Sequence, residues 1–253
     1  MAIRSFSGWM TSPLPVMISE ASLSATASSA SRRRSDGEPV AYLLGRREFF
    51  GLDLHITPAV LDPRPDTEIL VEWAIACLRR DHPAGVTPDV VDLGTGSGAI
   101  ALAVKSAVPE ARVWAVDRSA PAVAVARDNA QRLGLAIDCR HGDWFNPLGE
   151  AHFDLVLSNP PYLGAQDPHL QALDHEPREA LVAAGDGLAD LQTLAAQAPG
   201  HLRDGGWLLL EHGADQAPAV AAALDRAGFR DIAHRTDLAG HLRCTGGRWH
   251  LPR

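Results

Sequence analysis

Val90-Val91-Asp92-Leu93-Gly94-Thr95-Gly96-Ser97-Gly98-Ala99 decides the fold. A β-branched apolar run enters a turn with three glycines, and the turn opens into the helical stretch Ala99–Ala107. Glycines at such a junction let the backbone turn tightly and come close to a ligand. Strand and helix patterns alternate from there onward. Strands are predicted at Val90–Leu93, Arg112–Val116, Ala136–Arg140, Phe153–Ser158 and Gly206–Leu210. Helices are predicted at Ala99–Ala107, Pro121–Leu133, Gly187–Leu202 and Gln216–Ala227. This alternation implies a mostly parallel, doubly wound sheet. Two last strands, near Phe229–Arg235 and Cys244–His250, are expected to close it as an antiparallel hairpin.

The glycine turn implies a nucleotide-like cofactor. Asp117 follows Val113-Trp114-Ala115-Val116, and an acid at the tip of the second strand can accept hydrogen bonds from both ribose hydroxyls. Gly94, Gly96 and Ala99 also fit the dinucleotide fingerprint in its alanine variant, so the loop alone leaves the cofactor open. Two details favour S-adenosylmethionine. Asp92 is placed to orient the loop or meet a methionine ammonium, and nothing later in the chain looks like a hydride-acceptor site. In Gly142-Asp143-Trp144-Phe145, Asp143 is a candidate partner for the adenine amino group and Trp144 for covering its ring. The competing reading makes Trp144 and Phe145 core residues.

Asn159-Pro160-Pro161-Tyr162 sits at the C-terminal end of the Phe153–Ser158 strand, where parallel sheets bind ligands. The paired prolines forbid helix and fix an extended turn. A planar amide or exocyclic amine has two N–H donors and a delocalised lone pair. If the Asn159 side-chain oxygen and the Pro160 carbonyl accept those hydrogens, the nitrogen is held beside a methyl donor, and positioning with electrostatics does the work. Tyr162 is expected to pack on the flat group.

The rest of the chain divides unevenly. Residues 1–36 are rich in Ser and Ala and end in Ser31-Arg32-Arg33-Arg34-Ser35. They are expected to be an atypical segment, disordered or truncated, with at most a weak helix over 19–31. The stretch is short of acids, as targeting peptides are, but lacks a convincing apolar core and cleavage site. Residues 37–80 are expected to hold a β-hairpin within Glu48–Leu61 and a connecting helix after Pro63-Arg64-Pro65-Asp66-Thr67-Glu68. Asp66 or Thr67 can cap that helix, with Ile69, Leu70, Trp73 and Leu78 on its apolar face. Residues 81–253 are expected to form the catalytic domain.

The 253 residues carry a formal charge of −8, and the pI is about 5.7. An acidic surface repels phosphates, which disfavours stable nucleic acid binding. Cys77, Cys139 and Cys244 show no paired spacing and read as reduced thiols in a cytosolic protein. The histidines make no zinc-type constellation, so no metal is expected. No apolar run approaches the ~20 residues of a membrane span.

From about Arg34 onward the chain resembles the peptide chain release factor N(5)-glutamine methyltransferases, the HemK/PrmC type. The resemblance rests on Glu38-Pro39-Val40-Ala41-Tyr42-Leu43-Leu44-Gly45, Pro63–Glu68, Asp92–Gly98 and Ser158–Tyr162. It also rests on Glu176-Pro177-Arg178, Gly185-Asp186-Gly187-Leu188 and Glu211-His212-Gly213. It implies a seven-stranded, Rossmann-like class I S-adenosylmethionine-dependent methyltransferase fold. The implied target is the glutamine in the Gly-Gly-Gln loop of class I release factors, bound by a monomer in the cytoplasm. The resemblance carries cofactor contact onto Gly94, Thr95, Gly96, Ser97, Gly98, Asp117, Trp144 and Asn159, and substrate contact onto Asn159, Pro160, Pro161 and Tyr162. Pro-Arg-Pro-Asp-Thr-Glu separates this group from the ribosomal-protein glutamine methyltransferases. The family begins with a helical domain that helps recognise the release factor, and residues 1–36 do not resemble it.

Rival readings are an adenine-N6 or cytosine-N4 nucleic acid methyltransferase with the same amine-gripping motif, a non-catalytic binding protein, and a nicotinamide oxidoreductase. Arg64 and Glu68 are candidates for shaping the substrate entrance or, equally, for helix-start salt bridges. His212 is open to a pocket-facing or a satisfied structural reading. Pro168 to Pro177 reads as a polar loop able to act as a lid.

Overall fold

The computed structural model describes residues 32–35, 37–83 and 85–251. The weak helix and disorder expected before residue 32 lie outside them. The chain divides after Glu38. Within the first unit, Arg33 forms a two-pronged ion pair with Glu38.

The second unit starts with α1 (Val40–Leu44) and a hairpin of β1 (Arg46–Phe49) and β2 (Leu52–His55), with Glu48 opposite Asp53. Next come α2 (Glu68–Asp81), β3 (Asp89–Leu93), α3 (Ala99–Ala107), β4 (Arg112–Asp117), α4 (Ala120–Leu133), β5 (Asp138–His141) and β6 (Phe153–Ser158). The chain ends with α5 (Ala189–Gln197), β7 (Leu202–Glu211), α6 (Ala217–Arg226), β8 (Arg230–Thr236) and β9 (Leu242–Arg248). The main sheet has the order β5-β4-β3-β6-β7-β9-β8, parallel through β7 and antiparallel at β9 and β8.

All five residues of β3 are buried because helices cover both faces. Val90, Leu155, Leu157 and Leu209 pack with α2, α3 and α4, while Val91, Leu93, Val156, Leu208 and Leu210 pack with α5 and α6. The order reverses between β3 and β6, and a crevice opens there beyond the strand ends. Ser158 closes the base of the crevice by donating its hydroxyl to the Leu93 carbonyl at 2.6 Å.

Three local readings differ from the structure. β7 begins at Leu202 rather than Gly206: the glycines sit at an irregular register against β6, and Arg203 anchors the early part on Asp154 and Asp89. Helix α5 stops at Gln197 rather than 202, since Pro199 and Gly200 turn the chain through a 3-10 segment, Ala198–His201. Neither Asp66 nor Thr67 caps α2 through its side chain. The helix is entered through the 3-10 turn Pro65–Thr67, and the Thr67 hydroxyl is committed elsewhere.

Candidate active site

Two hollows meet at the C-terminal edge of the sheet. A cleft is lined by the glycine turn at Gly94 and Gly96, by Asp117 and Ser119, by Asp143 and Trp144, and by Asn159 and Pro161. Ala59–Leu61 and Pro177–Ala180 complete its walls. A groove is lined by Arg64, Tyr162, Leu163, Asp186, Gln216 and Arg243, among others. Leu61, Asn159 and Ala180 line both hollows.

The cleft wall is built from the backbone. Gly94 and Thr95 N–H donate to the Val116 carbonyl at 2.8 and 2.9 Å, which folds the turn against β4. Asp117 accepts the Gly96 N–H on one oxygen and the Ser119 N–H on the other, each at 2.8 Å. Each carboxylate oxygen has a second lone-pair direction for a ligand. Burial pushes the Asp117 carboxyl above its ordinary range, and these two N–H donors oppose the shift. The Trp144 ring lies 3.5 Å from where a Cβ on Gly94 would stand. Its backbone adopts φ 45°, a conformation non-glycine residues rarely take. Phe145 is core: it is buried and stacks on His201 at 4.5 Å between ring centroids.

Four other residues of the turn region, Asp92, Thr95, Ser97 and Gly98, do not line the cleft. Asp92 is fully buried and accepts the Thr95 hydroxyl at 2.6 Å, so both organise the turn from within. Burial pushes the Asp92 carboxyl up to about 7. The Ser97 carbonyl accepts from Asn129 at 2.9 Å. Gly98 is needed for packing, since a Cβ there would stand 3.2 Å from Ala126 of α4 and from Leu102 of α3. Sequence reading missed Asn129. This fully buried side chain grips the His55 backbone at both N–H and carbonyl and so stitches the hairpin to the glycine turn.

Asn159 donates its Nδ2 to Thr67 Oγ1 at 3.2 Å. Glu211 is 1% exposed, and burial pushes its carboxyl up to about 7. Pro160 is buried and lines neither hollow. The Tyr162 carbonyl accepts from Gln216 Nε2 at 2.9 Å. Burial, and then the Glu211 charge, hold the Tyr162 phenol well above its usual range, so it stays protonated at neutral pH.

Arg64 lines the groove, held by Glu176 and, at 3.7 Å, by Asp62. Glu176 also accepts the Asp62 N–H at 3.3 Å and so anchors one end of the 168–177 loop. Glu68 lies elsewhere: it accepts the Phe50 N–H at 2.9 Å and fastens the hairpin turn to α2, outside both hollows. His212 is fully buried between Thr245 Oγ1 (2.7 Å) and the Gly213 carbonyl (2.8 Å), which is the structural reading. Burial depresses its pKa.

Comparisons with known proteins agree with this geometry. The profile described as "Methyltransferase small domain" matches residues 75–217. The chain is 51% identical to the release factor glutamine methyltransferase of Bordetella pertussis over 85% of this chain and 79% of that protein. It is 47% identical to that of Escherichia coli over 86% and 78%. A methyltransferase structure from Pyrococcus furiosus shares the fold at TM-score 0.58 and 18% identity, covering 88% of this chain and all of that one. Sheet order, glycine turn and cleft therefore define a class I S-adenosylmethionine-dependent methyltransferase. At half-identity across most of both sequences, the chain belongs to the release factor glutamine methyltransferase family.

Proposed function

We propose that this chain methylates the side-chain amide nitrogen of the glutamine in the Gly-Gly-Gln loop of class I peptide chain release factors, in the cytoplasm. The observation that carries the reading is the position of Asn159, which lines both the cleft and the neighbouring groove. A group held on Asn159 from the groove side therefore faces the contents of the cleft.

The cleft fits S-adenosylmethionine, which supplies an electrophilic methyl on sulfur. Asp117 has lone pairs left for the ribose hydroxyls, Trp144 and Pro161 offer flat apolar cover, and Asp143 offers an acceptor for an amino group. On the substrate side, Asn159 Oδ1 accepts one of the two amide hydrogens at the junction of the two hollows. This keeps the nitrogen's lone pair directed at the cleft. The lone pair of an amide is delocalised and a weak nucleophile, so fixed geometry and dipoles supply the acceleration. Tyr162, neutral and largely enclosed, packs on the planar group rather than acting as a base. Arg64, held by Glu176, borders the groove where the chain flanking the glutamine would run.

The test uses methyl-labelled cofactor with a recombinant release factor. Label is expected on the loop glutamine and absent from a Gln→Ala loop variant. Asn159→Ala is expected to lower kcat at least about a hundredfold while keeping measurable cofactor binding. Label appearing on DNA instead would overturn the substrate assignment, and unchanged turnover in Asn159→Ala would remove its role.

A further inference from the structure

We propose that Gln216 is a positioning residue for methyl transfer: its side-chain amide bridges the Gly213 N–H to the Tyr162 carbonyl and holds the substrate side of the Asn159–Tyr162 turn in place. The inference rests on the function proposed above and deepens it.

The bridge is built from groups whose roles are fixed by their chemistry. The Gly213 N–H can only donate, and it donates to Gln216 Oε1 at 2.9 Å. The Tyr162 carbonyl can only accept, and it accepts from Gln216 Nε2 at 2.9 Å. Both ends of the amide are therefore assigned, and exchanging its oxygen and nitrogen by a half-turn would break both bonds at once. Gln216 also donates its backbone N–H to the Gly213 carbonyl at 2.9 Å, which closes the 213–216 turn on itself.

The bridge is fastened to the sheet. His212 Nδ1 lies 2.8 Å from the same Gly213 carbonyl, and its Nε2 lies 2.7 Å from Thr245 Oγ1 of β9. A carbonyl takes only a donor, so Nδ1 carries a proton. The His212 N–H donates to the Arg243 carbonyl, also on β9, at 2.9 Å. The sheet thus holds Gly213, Gly213 holds Gln216, and Gln216 holds Tyr162.

A local role accounts for only half of this. Gln216 ends the 3-10 turn Ala214–Gln216 that opens α6, and an acceptor for the Gly213 N–H caps that turn. Capping uses Oε1 alone. Nε2 reaches instead to a carbonyl 54 residues away in the chain. Gln216 and Tyr162 both line the groove, so the bond lies at the wall that receives the substrate loop. A side chain that packs on the target amide has to keep its distance and angle while the methyl is transferred, and a slack turn loses rate.

The experiment compares the full-length wild type with Gln216→Glu and Gln216→Met. Gln216→Glu keeps the length, the shape and the acceptor for the Gly213 N–H, but sets a second acceptor against the Tyr162 carbonyl. Gln216→Met keeps the length and removes both bonds. At pH 8 Gln216→Glu is expected to lower kcat about tenfold or more, with cofactor Kd within about threefold of wild type. A protonated carboxyl regains a donor, and a carboxyl facing a carbonyl titrates above the ordinary value of about 4.3, so kcat of Gln216→Glu is expected to recover as pH falls from about 8 to about 5. Arg64, Asp167, His169, Asp186, Asp215 and Arg243 also line the groove. Gln216→Met shares all of them, so the Glu-to-Met ratio of kcat isolates the new carboxyl, and it is expected to rise about fivefold or more over that range. Full kcat of Gln216→Glu at pH 8, as capping alone predicts, or a flat ratio, overturns the positioning role. A second readout needs no substrate. The 13C shift of the Tyr162 carbonyl is expected to depart from wild type in Gln216→Glu at pH 8 and to return toward it at pH 5, and an unchanged shift at pH 8 overturns the bridge. Failure of the wild type to label the glutamine would overturn the substrate reading alone, since the carbonyl shift still decides whether Gln216 holds the turn.

Discussion

Gly187→Ala is a test of how rigidly the Asn159–Tyr162 turn is held. Gly187 has φ +85°, and a Cβ placed there would stand 2.1 Å from the Tyr162 carbonyl oxygen and 2.8 Å from its carbon. The obstructing atoms are backbone, so no side-chain rotation relieves the clash. The same Cβ would stand 2.9 Å from Gln216 Nε2, the group that donates to that carbonyl. Three costs combine: left-handed strain of about 1–2 kcal/mol, overpacking of about 1–3 kcal/mol, and a hydrogen bond of about 0.5–1.5 kcal/mol. A total near 4 kcal/mol lowers the melting temperature by about 10 °C in a protein of this size. Gly134→Ala is the control. Gly134 has φ +65° but nothing within 4 Å of its Cβ, so only the backbone strain applies. Differential scanning calorimetry of both variants isolates the clash. Because the displaced backbone carries Tyr162, kcat of the surviving folded Gly187→Ala is also expected to fall. A Gly187→Ala protein as stable and active as Gly134→Ala would refute the claim that this contact fixes the turn.

Asp117→Ala removes the carboxylate proposed for the ribose and the acceptor for Gly96 N–H; calorimetric titration is expected to show cofactor Kd raised about 10–100-fold, and an unchanged Kd would exclude Asp117 from the cofactor site. Asp92 titrates near 7 when folded and near 3.8 when unfolded, so between these values the folded state holds the extra proton and stability falls as pH rises. The melting temperature of wild type relative to Asp92→Asn is therefore expected to decline from about pH 4 to about pH 7; a flat or rising difference would contradict that assignment. Glu68→Gln weakens the acceptor for Phe50 N–H, so the hairpin amides are expected to exchange faster while kcat holds, and a large loss of kcat would return Glu68 to the substrate site.

The sequence by itself determined the sheet, because its signals are local. β3 and β6 read as apolar runs, and the glycine turn and the Asn-Pro-Pro-Tyr turn follow them directly, so both site segments could be placed at strand ends before any tertiary contact was known. The β7 start escaped because Asp204-Gly205-Gly206 reads as a turn, and only pairing with β6 makes it strand. Tertiary structure alone decided the roles of side chains whose partners are distant in the chain. Thr67 looks like a helix cap until Asn159, 92 residues away, is found against its hydroxyl. Glu68 looks like a substrate residue until the hairpin turn folds onto it. Gly98 looks like a cofactor residue, and only the packing of α4 where its side chain would be shows its structural need for glycine. In each case the residue type permits two roles of similar energy, and the choice between them is made by which strand or helix the fold brings within hydrogen-bonding reach.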